Sequence, residues 1–174
     1  MTMEFINFLA RWSHGLFGIT WIGMLYYFNF IQGAYFKEAT PEELADAKAK
    51  LAPRALWWFR WGAMFTFITG IVLFSGVYHN AQMNNYIIIG VVMGTLMAAN
   101  VWMVIWPAQK VALGLVEGGD KAAAAGKALL ASRTNTFFSA PMLWAMFAGA
   151  DTKFFRRPRH IIQFFSCHMI AFNF

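Results

Sequence analysis

The sequence predicts an all-α integral membrane protein, with four transmembrane helices in an antiparallel bundle and short amphipathic helices in its cytoplasmic loops. Three observations carry this. The 174 residues are 59% hydrophobic and only 13% charged, far from the roughly 45–50% apolar and 25% charged of soluble domains. The apolar residues gather in four runs separated by charged or polar stretches. The Lys and Arg residues behind the formal charge of +6 lie mostly between those runs and form no basic stripe with interleaved aromatics. Positive-inside topology therefore explains the excess, and no nucleic acid is implied as a partner.

The first run covers residues 5 to about 31 and carries Arg11 near its start; it is long enough to cross ~30 Å of hydrocarbon. Its opening, MTMEFINF, has no basic n-region and no small-x-small cleavage site follows, so it reads as a retained helix and not a secretory signal. The second run, 56–78, is LWWFRWGAMFTFITGIVLFSGVY, entered by an aromatic cluster with Arg60 that belongs at the headgroups. The third, 86–106, is YIIIGVVMGTLMAANVWMVIW and is expected to stop at Pro107. The fourth, 136–150, is short and carries Pro141, so it spans only with help from its flanks. These make a membrane domain over 1–152. Residues 153–174 form a basic then apolar tail whose closing IIQFFSCHMIAFNF is too short to span alone and is expected in the interface.

Between runs one and two, KEATPEELADAKAKLAPR reads as a short helix capped by Thr40, with Pro41 at its first position and acids in its first turn. Between runs three and four, EGGDKAAAAGKALLASR reads as another, rich in alanine. The loops 37–54 and 110–133 hold Lys37, Lys48, Lys50, Arg54, Lys110, Lys121, Lys127 and Arg133, whereas HNAQMNN between runs two and three holds no Lys or Arg. Both charged loops are thus expected in the cytoplasm and the amino terminus outside. The tail, with Lys153, Arg156, Arg157 and Arg159, runs against that assignment.

The single cysteine, Cys167, excludes a four-cysteine iron–sulfur or zinc site and the C-x-x-C-H attachment of c-type haem within this chain. No carboxylate pair, Walker loop or nucleophile elbow is present, and no histidine pair has metal-ligand spacing. The polar residues inside the runs therefore bear the functional weight, because lipid offers no hydrogen bonds. His14 is several residues inside run one. It reads either as a neutral imidazole donating to a carbonyl of a neighbouring helix or as a ligating or proton-handling group. Gly18, one turn later, clears a gap that a flat macrocycle or a neighbouring helix would fill. His79, at the far end of run two, returns to the same side as His14, which makes His14 and His79 the candidate axial ligands of a b-type haem, with a plain interfacial His79 as the other reading. His160 and His168 join that side if run four crosses fully. In run three, Gly90, Gly94 and Ala98 recur every four residues and make a helix-packing face. Asn29, Thr66, Thr69, Asn100 and Ser139 are the other polar residues inside the runs; Asn100, whose amide must find a partner, is expected to hydrogen-bond between helices, with substrate contact as the other reading.

Four segments, RWSHGLFGITWIGMLYYFNFIQ, ALWWFRWGAMFTFITG, MGTLMAANVWMVIWPAQK and ASRTNTFFSAPMLWAM, occur in order between Arg11 and about Met146. Together they resemble the membrane domain of the urate hydroxylase PuuD family, known as the urate oxidase N-terminal domain, and in particular its short, four-span members. The matched pattern is His14 in R-W-x-H-x-x-x-G, Asn100 with Trp106 and Pro107, and Arg133 with Asn135 in S-R-T-N. The resemblance implies a protein of the bacterial inner membrane. In long members it implies a membrane domain feeding electrons to a fused c-type cytochrome during urate oxidation. This chain departs from that form by having no cytochrome segment and by carrying the linker at 37–54 in place of a longer glycine-rich insert.

Two readings of function follow. One is a redox-active membrane subunit, haem-binding through His14, exchanging electrons with a separate partner protein. The other is a non-catalytic accessory subunit packed against a larger respiratory or photosynthetic complex through its small-residue face and aromatic surface.

Overall fold

The computed structural model describes residues 2–79 and 83–150, and of residues 77–79 the backbone alone. The described residues form four helical rods: α1 over 3–38, α2 over 41–79, α3 over 85–112 and α4 over Lys121–Ala150, with no strand among them. The tail at 153–174, with Cys167, His160 and His168, lies outside the described residues.

The rods end where local chemistry dictates. Between α1 and α2, Ala39 and Thr40 turn extended, and Thr40 closes a capping box with Glu43 while Pro41 takes the first helical position, as expected of these residues. Asn84 caps α3 by accepting from the Ile87 amide at 3.0 Å. That helix closes at Gly114, whose φ of +73 lets the Leu115 amide reach back to the Lys110 carbonyl at 2.9 Å. Asp120 starts α4, its carboxylate taking the amides of Ala122 and Ala123 at 2.8 and 3.2 Å.

Three expectations are corrected here. The two loop helices are not separate elements: PEELADAKAKLAPR, from Pro41 on, is the first part of α2, and the alanine-rich segment runs without a break into the fourth apolar run as α4. The division followed a change in hydropathy, whereas the backbone ladder responds to Gly, Pro and caps, and none falls between Lys127 and Thr136. Pro107 does not stop α3, which continues through Trp106–Ala112. A wide π-type turn at Val101–Ile105 sits just ahead of that ring, and another at Ala47–Leu51 sits just ahead of Pro53. The looser turn relieves the clash between the ring and the carbonyl one turn back. A third π turn, Tyr27–Gln32, has no proline; there Asn29 Nδ2 donates to the Leu25 carbonyl at 2.8 Å, a side chain inserted into the ladder.

The rods pair α1 with α2 and α3 with α4, and α1 also touches α4. Trp21 faces Gly62, Gly18 faces Thr66 and His14 faces Gly70, so ascending α2 means descending α1. In the second pair Ile87 meets Gly149, Gly90 meets Met146 and Gly94 approaches Met142, again in opposite order. The core is small. Leu25, Phe59, Ala63, Met97 and Val101 are buried at its centre, and α4 contributes Ser132, Asn135, Thr136 and Ser139 to the buried set. The large apolar side chains point the other way, with Ile19 and Met103 each 75% exposed and Phe147 73%. Two helices, Pro41–Gly76 and Asn85–Ala112, are long and apolar enough to cross a membrane.

Candidate functional site

Two polar centres lie within the helix pairs. The first is built on His14 in α1. Its Nδ1 lies 2.9 Å from the Thr66 carbonyl and 3.1 Å from Thr69 Oγ1 on α2. A carbonyl only accepts, so Nδ1 carries the proton and, in the neutral ring, Nε2 keeps its lone pair. Thr69 Oγ1 accepts as well, because its own proton goes to the Phe65 carbonyl at 2.7 Å. No described residue hydrogen-bonds Nε2. An Nδ1–H fixed by a backbone carbonyl is the arrangement that orients a ligating or proton-accepting imidazole.

Glycine makes this contact possible. A Cβ at Gly70 would sit 3.1 Å from His14 Cε1, so any larger residue there would push the ring away. The gap at Gly18 is taken by α2 itself, since a Cβ at Gly18 would be 3.9 Å from the Thr66 methyl. The neighbouring helix, and not a macrocycle, uses that space. His79 lies nine residues beyond Gly70 on α2, roughly 13 Å farther along the axis at ~1.5 Å per residue. The His79 backbone therefore lies well beyond the level of His14, and its side chain lies outside the described residues. The donor chemistry of His14 by itself fits a single axial ligand. Among the described residues no group of three or more His, Cys, Asp or Glu side chains is gathered for a metal.

The second centre is a run of amides and hydroxyls spaced three and four apart on α4. Asn135, 1% exposed, donates from Nδ2 to the Met97 carbonyl at 3.0 Å and accepts at Oδ1 from Asn100 Nδ2 at 2.8 Å. Asn100 Nδ2 also donates to the Ala131 carbonyl at 2.9 Å, which ties α3 to α4. Ser139 shares a 2.8 Å hydrogen bond with Tyr26 of α1, and Asn29 Nδ2 donates to Ser132 Oγ at 2.8 Å. This set joins three helices and holds no titratable carboxylate or imidazole.

The other singled-out residues separate cleanly. Gly90 abuts Met146, whose Cγ and Sδ would each lie 3.0 Å from an added Cβ; Gly94 is 3.9 Å from the same Met146 methyl by that measure, and Ala98 is buried. Two features escaped the sequence reading. Gly62, Thr66 and Gly70 recur every four residues and line the close α1–α2 seam, where a Cβ at Gly62 would meet the Trp21 backbone nitrogen at 3.2 Å. Tyr26 and Ser132 also complete the polar set. Spacing by four along run two was the available signal for the first; nothing local marked the second.

A family model described as urate oxidase N-terminal matches residues 79–171, just over half of the chain. The match takes in α3, α4 and the segment beyond, so it starts later and ends later than the motifs between Arg11 and Met146. No curated protein and no solved structure matches the chain.

Proposed function

This chain belongs to the urate oxidase N-terminal family, and we propose that it works as an integral membrane subunit of a bacterial redox system, spanning the inner membrane four times as an antiparallel bundle. The outward turn of its large apolar side chains supports the membrane part. Only 28% and 22% of the most apolar windows of Pro41–Gly76 and Asn85–Ala112 are buried, whereas a soluble protein keeps its most apolar helices inside. α1 and α4 supply the other two spans, and charge places the amino terminus outside and the loops 37–54 and 110–133 in the cytoplasm.

The observation that carries the redox part is His14. An imidazole inside a span is costly, and this one is anchored through Nδ1 with Nε2 kept free of the described residues. His14 would hold a haem through that nitrogen, and bound haem supplies one-electron chemistry. The remaining residues act on His14: Thr66 and Thr69 fix its tautomer, and Gly70 gives the ring its place. The accessory-subunit reading has one feature in its favour. A Cβ added at Gly15 or Gly23 on α1 would meet no atom of the described residues within 4 Å, and the two flank the exposed Ile19, a face open to a partner helix.

A reduced-minus-oxidised absorbance spectrum of the detergent-purified chain, with a pyridine haemochrome count, tests the choice. A stoichiometric b-type signal that disappears in His14→Ala while helicity stays supports the redox subunit. A featureless spectrum sinks it in favour of the accessory reading, and proteins that co-purify then become the subject.

A further inference from the structure

One seam of the molecule gathers cations and donors with nothing to receive them. Where α2 begins its apolar stretch and α3 ends its own, the Arg60 guanidinium carbon stacks 3.8 Å from the centroid of the Trp106 ring, and Lys110 Nζ lies 5.7 Å from the same centroid. Arg60 Nε and the Trp102 indole nitrogen are both buried donors without a hydrogen-bond partner among the described residues. Trp61 and Trp102 pack edge to face at 5.8 Å, which fixes the Trp102 indole in the same α2–α3 seam. No described carboxylate pairs with Arg60 or Lys110; the ion pair among the described residues is that of Lys50 with Asp46, elsewhere on α2.

Two cations drawn to one indole repel each other, and an indole face offsets only part of that. Buried N–H groups that find no acceptor carry the full cost of their lost hydration. Both penalties vanish if an anion with several acceptor oxygens sits in the seam. Given the membrane reading above, on which this inference rests, the seam lies at the cytoplasmic headgroup level, since it joins the start of the apolar stretch of α2 to the end of α3, both on the side of the charged loops. There the plentiful multi-oxygen anion is the phosphate of a lipid, and basic pockets between spans on that side suit such headgroups.

We propose that Arg60, Lys110, Trp102 and Trp106 form a binding site for the headgroup phosphate of an anionic phospholipid of the inner leaflet. Arg60 and the Trp102 indole donate hydrogen bonds to phosphate oxygens, Lys110 balances the second charge, and the Trp106 face holds both cations in register. The site prefers phosphatidylglycerol to phosphatidylcholine because the latter carries its own cation.

The test uses the full chain, first shown to partition into membranes and to keep its helical spectrum in a neutral detergent. Failure at that step overturns the membrane reading itself and is distinct from failure of the site. Native mass spectrometry then counts lipid retained from equimolar phosphatidylglycerol and phosphatidylcholine. The wild type should retain phosphatidylglycerol selectively, and Arg60→Gln with Lys110→Gln should cut that selectivity roughly fivefold for each cation lost. Lys127→Gln, a cation on the same side of the membrane but outside the seam, should leave it unchanged. If the double variant loses its helical spectrum, Trp102→Phe replaces it, removing the indole donor while keeping an aromatic side chain, and should lower the selectivity on its own. Equal retention of both lipids, an unchanged preference in the seam variants, or an equal loss in Lys127→Gln overturns the proposal. So does thermal stabilisation by inorganic phosphate alone that matches stabilisation by phosphatidylglycerol, because the seam would then take free phosphate.

Discussion

In the α1–α2 pair the small residues admit a stretch of backbone, a methyl and the edge of a ring, whereas in the α3–α4 pair two of the three admit flexible methionine. Gly62 brings the Trp21 main chain within van der Waals reach, Gly18 receives the Thr66 methyl and Gly70 receives the edge of His14. Gly90 and Gly94, with the same spacing of four, are covered by Met146 and Met142. At the end where α3 begins, the second pair closes to backbone contact: Gly149 meets Ile87 and its carbonyl accepts from Asn84 Nδ2 at 3.0 Å. Spacing of small residues thus specifies that two helices approach, and the facing residue decides how closely. Close approach serves α1–α2 by placing a rigid imidazole; flexible methionine leaves α3–α4 to be specified by its amides.

Substitutions at the backbone contacts should show the largest effects. Gly62→Ala puts a methyl 3.2 Å from the Trp21 nitrogen, and Gly149→Ala puts one 2.9 Å from the Ile87 nitrogen, so a helix must move in each. Each should cost about 1–3 kcal/mol, as overpacking does, read by denaturant unfolding of the detergent-purified protein followed by circular dichroism. Asn135→Ala should come next. It leaves Asn100 Nδ2 and the Met97 carbonyl each short of a partner and should cost about 1–2 kcal/mol. Gly90→Ala should cost under about 1 kcal/mol, because Met146 can change rotamer. Equal costs at Gly62 and Gly90 would break the distinction between the two pairs.

How much of this was legible in the sequence depended on the distance over which each feature is decided. The capping box at Thr40 is settled within four residues, and it was read correctly together with Pro41. The fate of Pro107 is settled by the turn ahead of it; a rule about one residue type cannot see that Val101–Ile105 widens to accept the ring. The apolar exterior was visible as composition because it is spread through a chain 59% hydrophobic overall, with no alternation needed to detect it. The partner of His14 is 52 residues away and that of Asn100 is 35 away. Each was legible as a need for a partner and not as the partner's identity. The family pattern had brought Asn100 and Asn135 together as matched positions, and their 2.8 Å hydrogen bond gives that coincidence a physical cause.

The smallest expected effect belongs to an exposed junction, the α1–α2 turn. Glu43 Oε2 accepts from the Thr40 amide at 2.8 Å and from its hydroxyl at 2.9 Å. The backbone bond first, and then the hydroxyl, hold the Glu43 carboxyl below its ordinary value. A carboxyl depressed by folding adds stability that is complete above the unfolded value of about 4.3. That contribution is lost as pH falls through the depressed value. Because the group is fully exposed, the consequence should be confined to the first turn of α2. The Cα chemical shifts of residues 41–46 should stay helical from neutral pH to about pH 5 and drift toward coil below about pH 4, with the shifts along the α1–α2 seam unmoved. In Glu43→Gln the same shifts should lose their pH dependence over that range, since the amide still accepts but does not titrate. A drift of equal size in Glu43→Gln would assign the acid response to another group. A seam that moves along with the turn would mean that the α1–α2 contact depends on its cap and not on the glycines that bring the two backbones together.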